Sequence, residues 1–216
     1  MIRFNEKEML RYLGFRHGME PDAETKENID RCVSDLQKVI YPKAIGQYFD
    51  LSVSDGVVNF AGLSVKSHSL AKNLATCSCV YLFAATLGLG PDRLIARAQV
   101  RKMSDALIFQ AASAAMIEAV CNTINTKIDR QATEAGLFTR PRFSPGYGDC
   151  PIELQTDITR LLETPKKIGL TLTDSMMMLP TKSVTALIGI SSVPTQHHPG
   201  GCASCEVKNC EFREES

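Results

Sequence analysis

Residues 142–151 read RFSPGYGDCP, and the rest of the chain can be interpreted around this stretch. Two prolines and two glycines in ten residues cannot continue a helix or a central strand. Pro145-Gly146 is instead typical of a tight turn, because proline fixes φ and glycine is able to take a positive φ. The same stretch carries an arginine, a tyrosine and an aspartate. It is therefore either a rigid connector or a binding loop.

One long helix is predicted before this turn, with Ser104 as its N-cap and an end near Gly136. Residues 106–126 contain a single charged side chain, Glu118. Helical spacing places Glu118 on an apolar stripe whose other members are Leu107, Ala111, Ala114 and Cys121. A carboxylate on such a stripe is costly unless it has a partner. Glu118 therefore either faces solvent, pairs with a structural arginine, or binds a ligand.

The remaining patterns predict an α+β fold: a bent, mostly antiparallel sheet flanked by helices, with the long helix in the centre. Asn5 and Asp22 are expected to cap two N-terminal helices. Strand patterns occur at 44–65, 79–87, 168–172, 176–179 and 184–190, and helical patterns at 67–75, 92–100 and 151–163. The three methionines at 176–178 are interpreted as core packing.

Composition narrows the class of partner. Lys plus Arg and Asp plus Glu both number 24, so the net charge is zero. This balance argues against nucleic acid or an anionic membrane as the main partner. Tryptophan is absent, which also disfavours a base-stacking surface.

The expected compartment is the cytoplasm. The apolar run Val80–Leu89 is far shorter than the roughly 20 residues that a membrane span needs. The N-terminus is charged from the start and lacks the apolar run of a signal peptide. In a reducing compartment, the eight cysteines are better read as thiols or metal ligands than as disulfides.

The motifs around the turn occur in an order that resembles a known family. After the turn come Gln155, IGLTLTDS at 168–175 and MLPTKSV at 178–184; before it come LRYLG at 10–14 and AATLG at 84–88. This order resembles the activation domain of cobalamin-dependent methionine synthase, in its short, free-standing form. The resemblance covers roughly residues 5–192. We therefore expect one domain at 1–192 and an irregular, Cys-rich tail at 193–216.

The resemblance implies that the chain binds S-adenosylmethionine. Arg142 would bind the ligand's carboxylate bidentately. Ser144, Gly146 and Tyr147 would offer backbone edges and a ring to the adenine. Glu118 matches the family's acidic position and suits the ligand's ammonium and ribose hydroxyls. No residue is expected to act as a catalytic nucleophile.

The resemblance also implies the reaction. Cobalt(II) formed by accidental oxidation of the synthase's cobalamin is reduced by a low-potential electron donor of flavodoxin or ferredoxin type, and methylation by S-adenosylmethionine traps the product. The sequence contains no corrin-binding Asp-x-His-x-x-Gly signature, which predicts action in trans on a cobalamin-bearing methionine synthase. Two alternatives stay open: a reactivator of another corrinoid methyltransferase, and a non-enzymatic metal-binding docking module.

Three cysteines near the end form a C-x2-C-x4-C run, which consists of Cys202, Cys205 and Cys210. This spacing predicts a metal site, either an iron–sulfur cluster or zinc, although such sites usually have four ligands. Cys150, His197 or His198 would be the fourth ligand. The alternative is a reduced tail that binds no metal.

Overall fold

A computed structural model describes residues 2–16 and 18–194. Its first two helices are α1 (Glu6–Tyr12) and α2 (Ala23–Val39). Each begins where the sequence predicted a cap. The Asn5 side chain accepts hydrogen bonds from the backbone N–H groups of Lys7 and Glu8, and Asp22 accepts one from Thr25.

Strands with antiparallel pairing form the centre of the described chain. They are β1 (Lys43–Ser54), β2 (Val57–Phe60), β3 (Leu63–Lys66), β4 (Cys77–Thr86), β5 (Phe138–Thr139), β6 (Thr171–Leu172), β7 (Met178–Leu179) and β8 (Ser183–Ser191). Six of them form one sheet in the order β3-β2-β1-β4-β8-β5, and β6 pairs with β7 in a separate ribbon. The predicted hairpin at Asp55-Gly56 joins β1 to β2. The α+β prediction is confirmed.

Five further helices lie on the two faces of the sheet. They are α3 (His68–Asn73), α4 (Gly90–Arg101), α5 (Met103–Glu134), α6 (Leu154–Leu162) and α7 (Thr164–Ile168). Because successive strand residues point to opposite faces, β4 contributes to two separate cores. Phe83 packs with α1, α2, α4 and α5 on one face, whereas Leu82 packs with α3, α6 and α7 on the other.

Helix α5 is long and apolar enough, by length and composition, to cross a membrane. Half of that apolar stretch, however, is buried inside the fold. Side chains such as Ala112 and Met116 are fully buried against the sheet and the neighbouring helices. Helix α5 is therefore the central helix of the domain core, as the sequence predicted.

Several predicted boundaries were wrong. Helix α5 begins at Met103, and its N-cap is Lys102 rather than Ser104, because α4 ends directly before it in extended backbone. Of the predicted strand at 168–172, Ile168 ends α7, Gly169 and Leu170 lie outside helix and strand, and only Thr171–Leu172 pairs as a strand. Helix α6 starts three residues later than predicted. The core interpretation of the methionines fails at Met177, which is 58% exposed.

Candidate functional site

The segment after α5 runs back alongside the helix that precedes it. Gly136 has a φ of 70° and follows the end of α5, which is where the sequence predicted that the helix stops. The chain then enters β5, which pairs with the end of β8. As a result, β5 forms one edge of the sheet and also contacts α5.

Two contacts hold this segment in place. Near its start, the Thr139 hydroxyl donates to the Asp129 carboxylate of α5 at 2.8 Å. Near its end, Phe143 and Leu187 of β8 exchange two backbone hydrogen bonds, at 2.9 and 2.8 Å. The segment is thus fixed to both the helix and the sheet before the turn begins.

An ion pair joins this segment to the middle of α5. Arg142 Nη2 donates to Glu118 Oε2 at 2.6 Å. The two side chains are 19% and 33% exposed, so the pair lies at the edge of the core. Phe143, the next residue, packs in the core on the opposite face of the sheet, as an alternating extended segment requires. The structure therefore brings together the two charged residues that the sequence singled out.

The pair retains unused hydrogen-bonding capacity. Arg142 Nη1 is buried and has no hydrogen-bond partner among the described residues. A guanidinium offers five N–H donors in a planar fork, so one bond to Glu118 does not saturate it. Asn125 Oδ1, on the same helix as Glu118, is also buried without a partner in the described structure.

The charges of Arg142 and Glu118 contribute to the pKa values of neighbouring side chains. Burial raises the pKa of Cys121 to about 12, an effect that Arg142 opposes and Glu118 reinforces. The Cys121 thiol is therefore protonated at neutral pH. Burial and a 2.9 Å hydrogen bond to Glu8 raise the pKa of Tyr12 to about 12, and the charge of Glu118 adds to this shift. Helix α1 thus approaches the same part of α5.

The predicted tight turn follows directly after Arg142. Gly146 has a φ of 87°, its N–H donates to the Cys150 carbonyl at 3.1 Å, and the Cys150 N–H donates to the Tyr147 carbonyl at 3.0 Å. Pro145 is buried beneath the turn. The predicted roles of proline and glycine in this turn are confirmed.

Asp149 fastens the turn to α3. Its carboxylate accepts from the Ser67 hydroxyl at 2.7 Å and from the backbone N–H groups of His68 and Ser69 at 2.7 and 2.9 Å. These three bonds hold the pKa of Asp149 well below its ordinary value. Asp149, to which the sequence gave no role, therefore anchors the loop.

The predicted adenine contacts lie on the turn itself. Ser144 is partly buried and Gly146 is exposed. Tyr147 is 65% exposed, and its ring meets the Phe143 ring edge-on with centroids 6.2 Å apart. That Tyr147 converges with Arg142 and Glu118 on one ligand stays a prediction.

Lys182, the other motif residue without a predicted role, lies at the start of β8. Its ammonium donates to the side-chain oxygen of Gln110 on α5. Burial lowers the pKa of Lys182, and the nearby Asp92 carboxylate opposes that shift. The contact with Gln110 ties the strand to the central helix.

The surface also has two depressions away from this site. One of about 640 Å³ is bordered by Phe15, Ile29 and Leu107, and one of about 420 Å³ lies over Thr126 and Arg130 on α5. Neither includes Glu118 or Arg142. We place the candidate site at the charged pair because two of the predicted ligand residues, Glu118 and Arg142, are in contact there.

Residues 2–16 and 18–194 contain no group of three or more His, Cys, Asp or Glu side chains that could hold a metal ion. The predicted ligands Cys202, Cys205 and Cys210, and both candidate histidines, lie outside the described residues. Cys150 is buried in the core, and burial raises its pKa to about 11. Its burial in the core argues against Cys150 as the fourth ligand.

Comparison with known proteins identifies the family. Residues 69–198, more than half of the chain, match the family described as "Vitamin B12 dependent methionine synthase, activation domain". The chain belongs to this family. The matched region of this activation domain contains Glu118, Arg142 and the whole 142–151 turn. No curated protein matches the sequence.

The fold of this activation domain is similar to a solved structure. That structure is titled "Crystal Structure of the MetH Reactivation Domain bound to AdoHcy". The TM-score is 0.65 at 14% sequence identity, and the alignment covers 86% of this chain and 73% of that one. At this identity the likeness establishes a shared fold.

Proposed function

We propose that this activation domain binds S-adenosylmethionine at the Glu118–Arg142 pair and the adjoining turn, and that it reactivates a cobalamin-bearing methionine synthase in trans. Family membership and the AdoHcy-bound relative of the same fold support the ligand class. The observation that carries the proposal is that Arg142, beside a carboxylate, has a buried Nη1 with no hydrogen-bond partner among residues 2–16 and 18–194.

The amino-acid end of the ligand matches the pair in charge. It is a zwitterion, so its carboxylate can accept from Arg142 Nη1 while its ammonium donates to Glu118. The existing bond between Arg142 Nη2 and Glu118 need not break. Each charge of the ligand and of the pair then lies beside an opposite charge. This arrangement limits the desolvation penalty of burying the four charges.

The turn suits the nucleoside end. Backbone groups of Ser144 and Gly146 offer edges for the adenine, and the exposed ring of Tyr147 offers an apolar face. Asp149 holds the loop to α3 through three hydrogen bonds, so the turn is already ordered. A preorganised loop loses less conformational entropy when a ligand binds.

In this proposal the domain contributes proximity and orientation rather than a reacting group. When bound, S-adenosylmethionine supplies the methyl group, and the partner synthase presents its cobalamin. A donor of flavodoxin or ferredoxin type supplies the electron. A cytoplasmic location is part of the proposal. The zero net charge supports a protein partner over nucleic acid or a membrane surface.

The test is reactivation in trans. The chain would be mixed with the methionine synthase of the same organism in its cobalt(II) state, a reductant and S-adenosylmethionine. We expect the visible spectrum to change to that of methylcobalt(III), and no change when S-adenosylmethionine is omitted. An unchanged spectrum would favour the docking module. Conversion of only a different corrinoid methyltransferase would replace the proposed partner.

A further inference from the structure

The face of α5 that carries Glu118 continues toward the C-terminal end of the helix with Cys121 and Asn125. These residues follow Glu118 by three and seven positions, so all three lie on one stripe. Cys121 is completely buried. Asn125 is partly buried, but its side-chain oxygen is inaccessible to solvent and has no partner among the described residues.

Asn125 lies between the two contacts that tie the returning segment to α5. One contact joins Asp129 to Thr139, and the other joins Glu118 to Arg142. Residue 125 falls between positions 118 and 129 on the helix, and it shares the stripe of Glu118. The Asn125 side chain is therefore on the face of α5 along which residues 139–142 run.

Two unpartnered atoms of opposite character thus occur along one interface. Within the part of the chain that the structure describes, Arg142 Nη1 is a donor without an acceptor, and Asn125 Oδ1 is an acceptor without a donor. Buried polar groups in folded proteins are almost always paired. A group that both accepts and donates hydrogen bonds would satisfy the two atoms together.

We infer that Asn125 is a further ligand-binding residue of this site, where its side-chain oxygen accepts a hydrogen bond from the ammonium of the same zwitterion whose carboxylate binds Arg142. This inference rests on the proposed function. Asn125 and Glu118 then share the ligand's ammonium, whose three N–H donors exceed what one carboxylate oxygen requires. Asn125 would distinguish ligands that carry the α-amino-acid end from ligands that lack it.

The test is an Asn125→Leu variant, which keeps the side chain's size and removes its polar atoms. Calorimetric titration with S-adenosylhomocysteine should show an affinity reduced roughly three- to tenfold, the usual value of one hydrogen bond. Resistance to urea should be unchanged or higher without ligand, because a buried unpaired acceptor is removed. A purely structural asparagine would give the opposite result, with lower stability and unchanged affinity.

Two comparisons complete the test. Asn122→Leu is the matched control, because Asn122 lies on the same helix but is exposed; its affinity should equal that of wild type. 5′-Methylthioadenosine, which lacks the amino-acid end, should bind equally to wild type and Asn125→Leu. Wild-type affinity for S-adenosylhomocysteine in Asn125→Leu, or an equal loss for both ligands, would overturn the inference. Absence of binding by the wild type would overturn the proposed function as well.

Discussion

Replacing Arg142 gives the most direct test of the binding site. The Arg142→Ala substitution removes the positive charge together with the donor Nη1, which is buried and has no partner among the described residues. A hydrogen bond to a charged group is typically worth about 1.5–3 kcal/mol, so affinity for S-adenosylhomocysteine should fall roughly ten- to a hundredfold. Arg142→Lys should lose much of the same affinity, because an ammonium cannot donate a planar pair of bonds while it also holds Glu118.

The same substitution should cost less in stability than in binding. Glu118 is 33% exposed, so water can solvate its carboxylate once Arg142 is gone. Partly exposed ion pairs contribute about 1 kcal/mol or less. Urea denaturation should therefore show a small shift, whereas calorimetric titration should show a large one.

The two measurements separate binding from folding. Arg160→Ala serves as the control, since Arg160 forms an exposed ion pair with Asp157 on α6. This control should retain wild-type affinity. Wild-type affinity in Arg142→Ala would refute the reasoning, and so would a loss of affinity that merely follows a large loss of stability.

Three further predictions concern Glu118, Asp149 and the C-terminal cysteines. Glu118→Gln should weaken S-adenosylhomocysteine binding in titration calorimetry and slightly lower the urea midpoint, because it leaves Arg142 without its charged partner. Asp149→Ala should lower the urea midpoint at neutral pH. The difference from wild type should shrink as the pH falls below the ordinary aspartate pKa of 3.8. The pKa of Asp149 is depressed in the folded protein, so the stability that its carboxylate contributes is lost when the carboxylate is protonated. Protein purified anaerobically should contain iron or zinc by elemental analysis, and a Cys202→Ser/Cys205→Ser double variant should lose it.

Each of these predictions has a clear contrary outcome. Unchanged affinity for S-adenosylhomocysteine in Glu118→Gln would show that Glu118 has a structural role and does not bind the ligand. A difference between Asp149→Ala and wild type that persists at low pH would show that the loop is not held by the ionised carboxylate. Protein that is free of metal after anaerobic purification and reconstitution would rule out the C-terminal metal site.

Local signals in the sequence predicted most of the fold. Asn5 and Asp22 cap helices as expected, because the preference for a side-chain acceptor at a helix start depends on nearby backbone only. Gly136 and the Pro145-Gly146 turn also follow local backbone preference. The start of α5 was missed because α4 and α5 follow each other directly, which leaves Lys102 rather than Ser104 at the junction.

Other features depend on tertiary contacts that no local pattern reveals. The apolar run at 168–172 is short enough to suit a strand or the end of a helix. In the fold α7 ends at Ile168, and only Thr171–Leu172 pairs as a strand. Asn125 is uncharged, so the pattern of charges along α5 does not single it out. Its spacing of seven residues from Glu118 was a usable signal. The anchoring role of Asp149 could not be predicted, because its hydrogen-bond partners at 67–69 are distant in the sequence.

The partnership of Arg142 with Glu118 also changes one expectation about stability. An unpaired carboxylate on an apolar stripe would make Glu118→Gln stabilising, because the substitution removes the cost of burying a charge. In the fold, Glu118 has a 2.6 Å partner, and removing one member of a pair leaves the other charge uncompensated. The sign of the stability change therefore reports whether the pair forms in solution. A stabilised Glu118→Gln variant would show that the two side chains are apart, and that a ligand must bring them together.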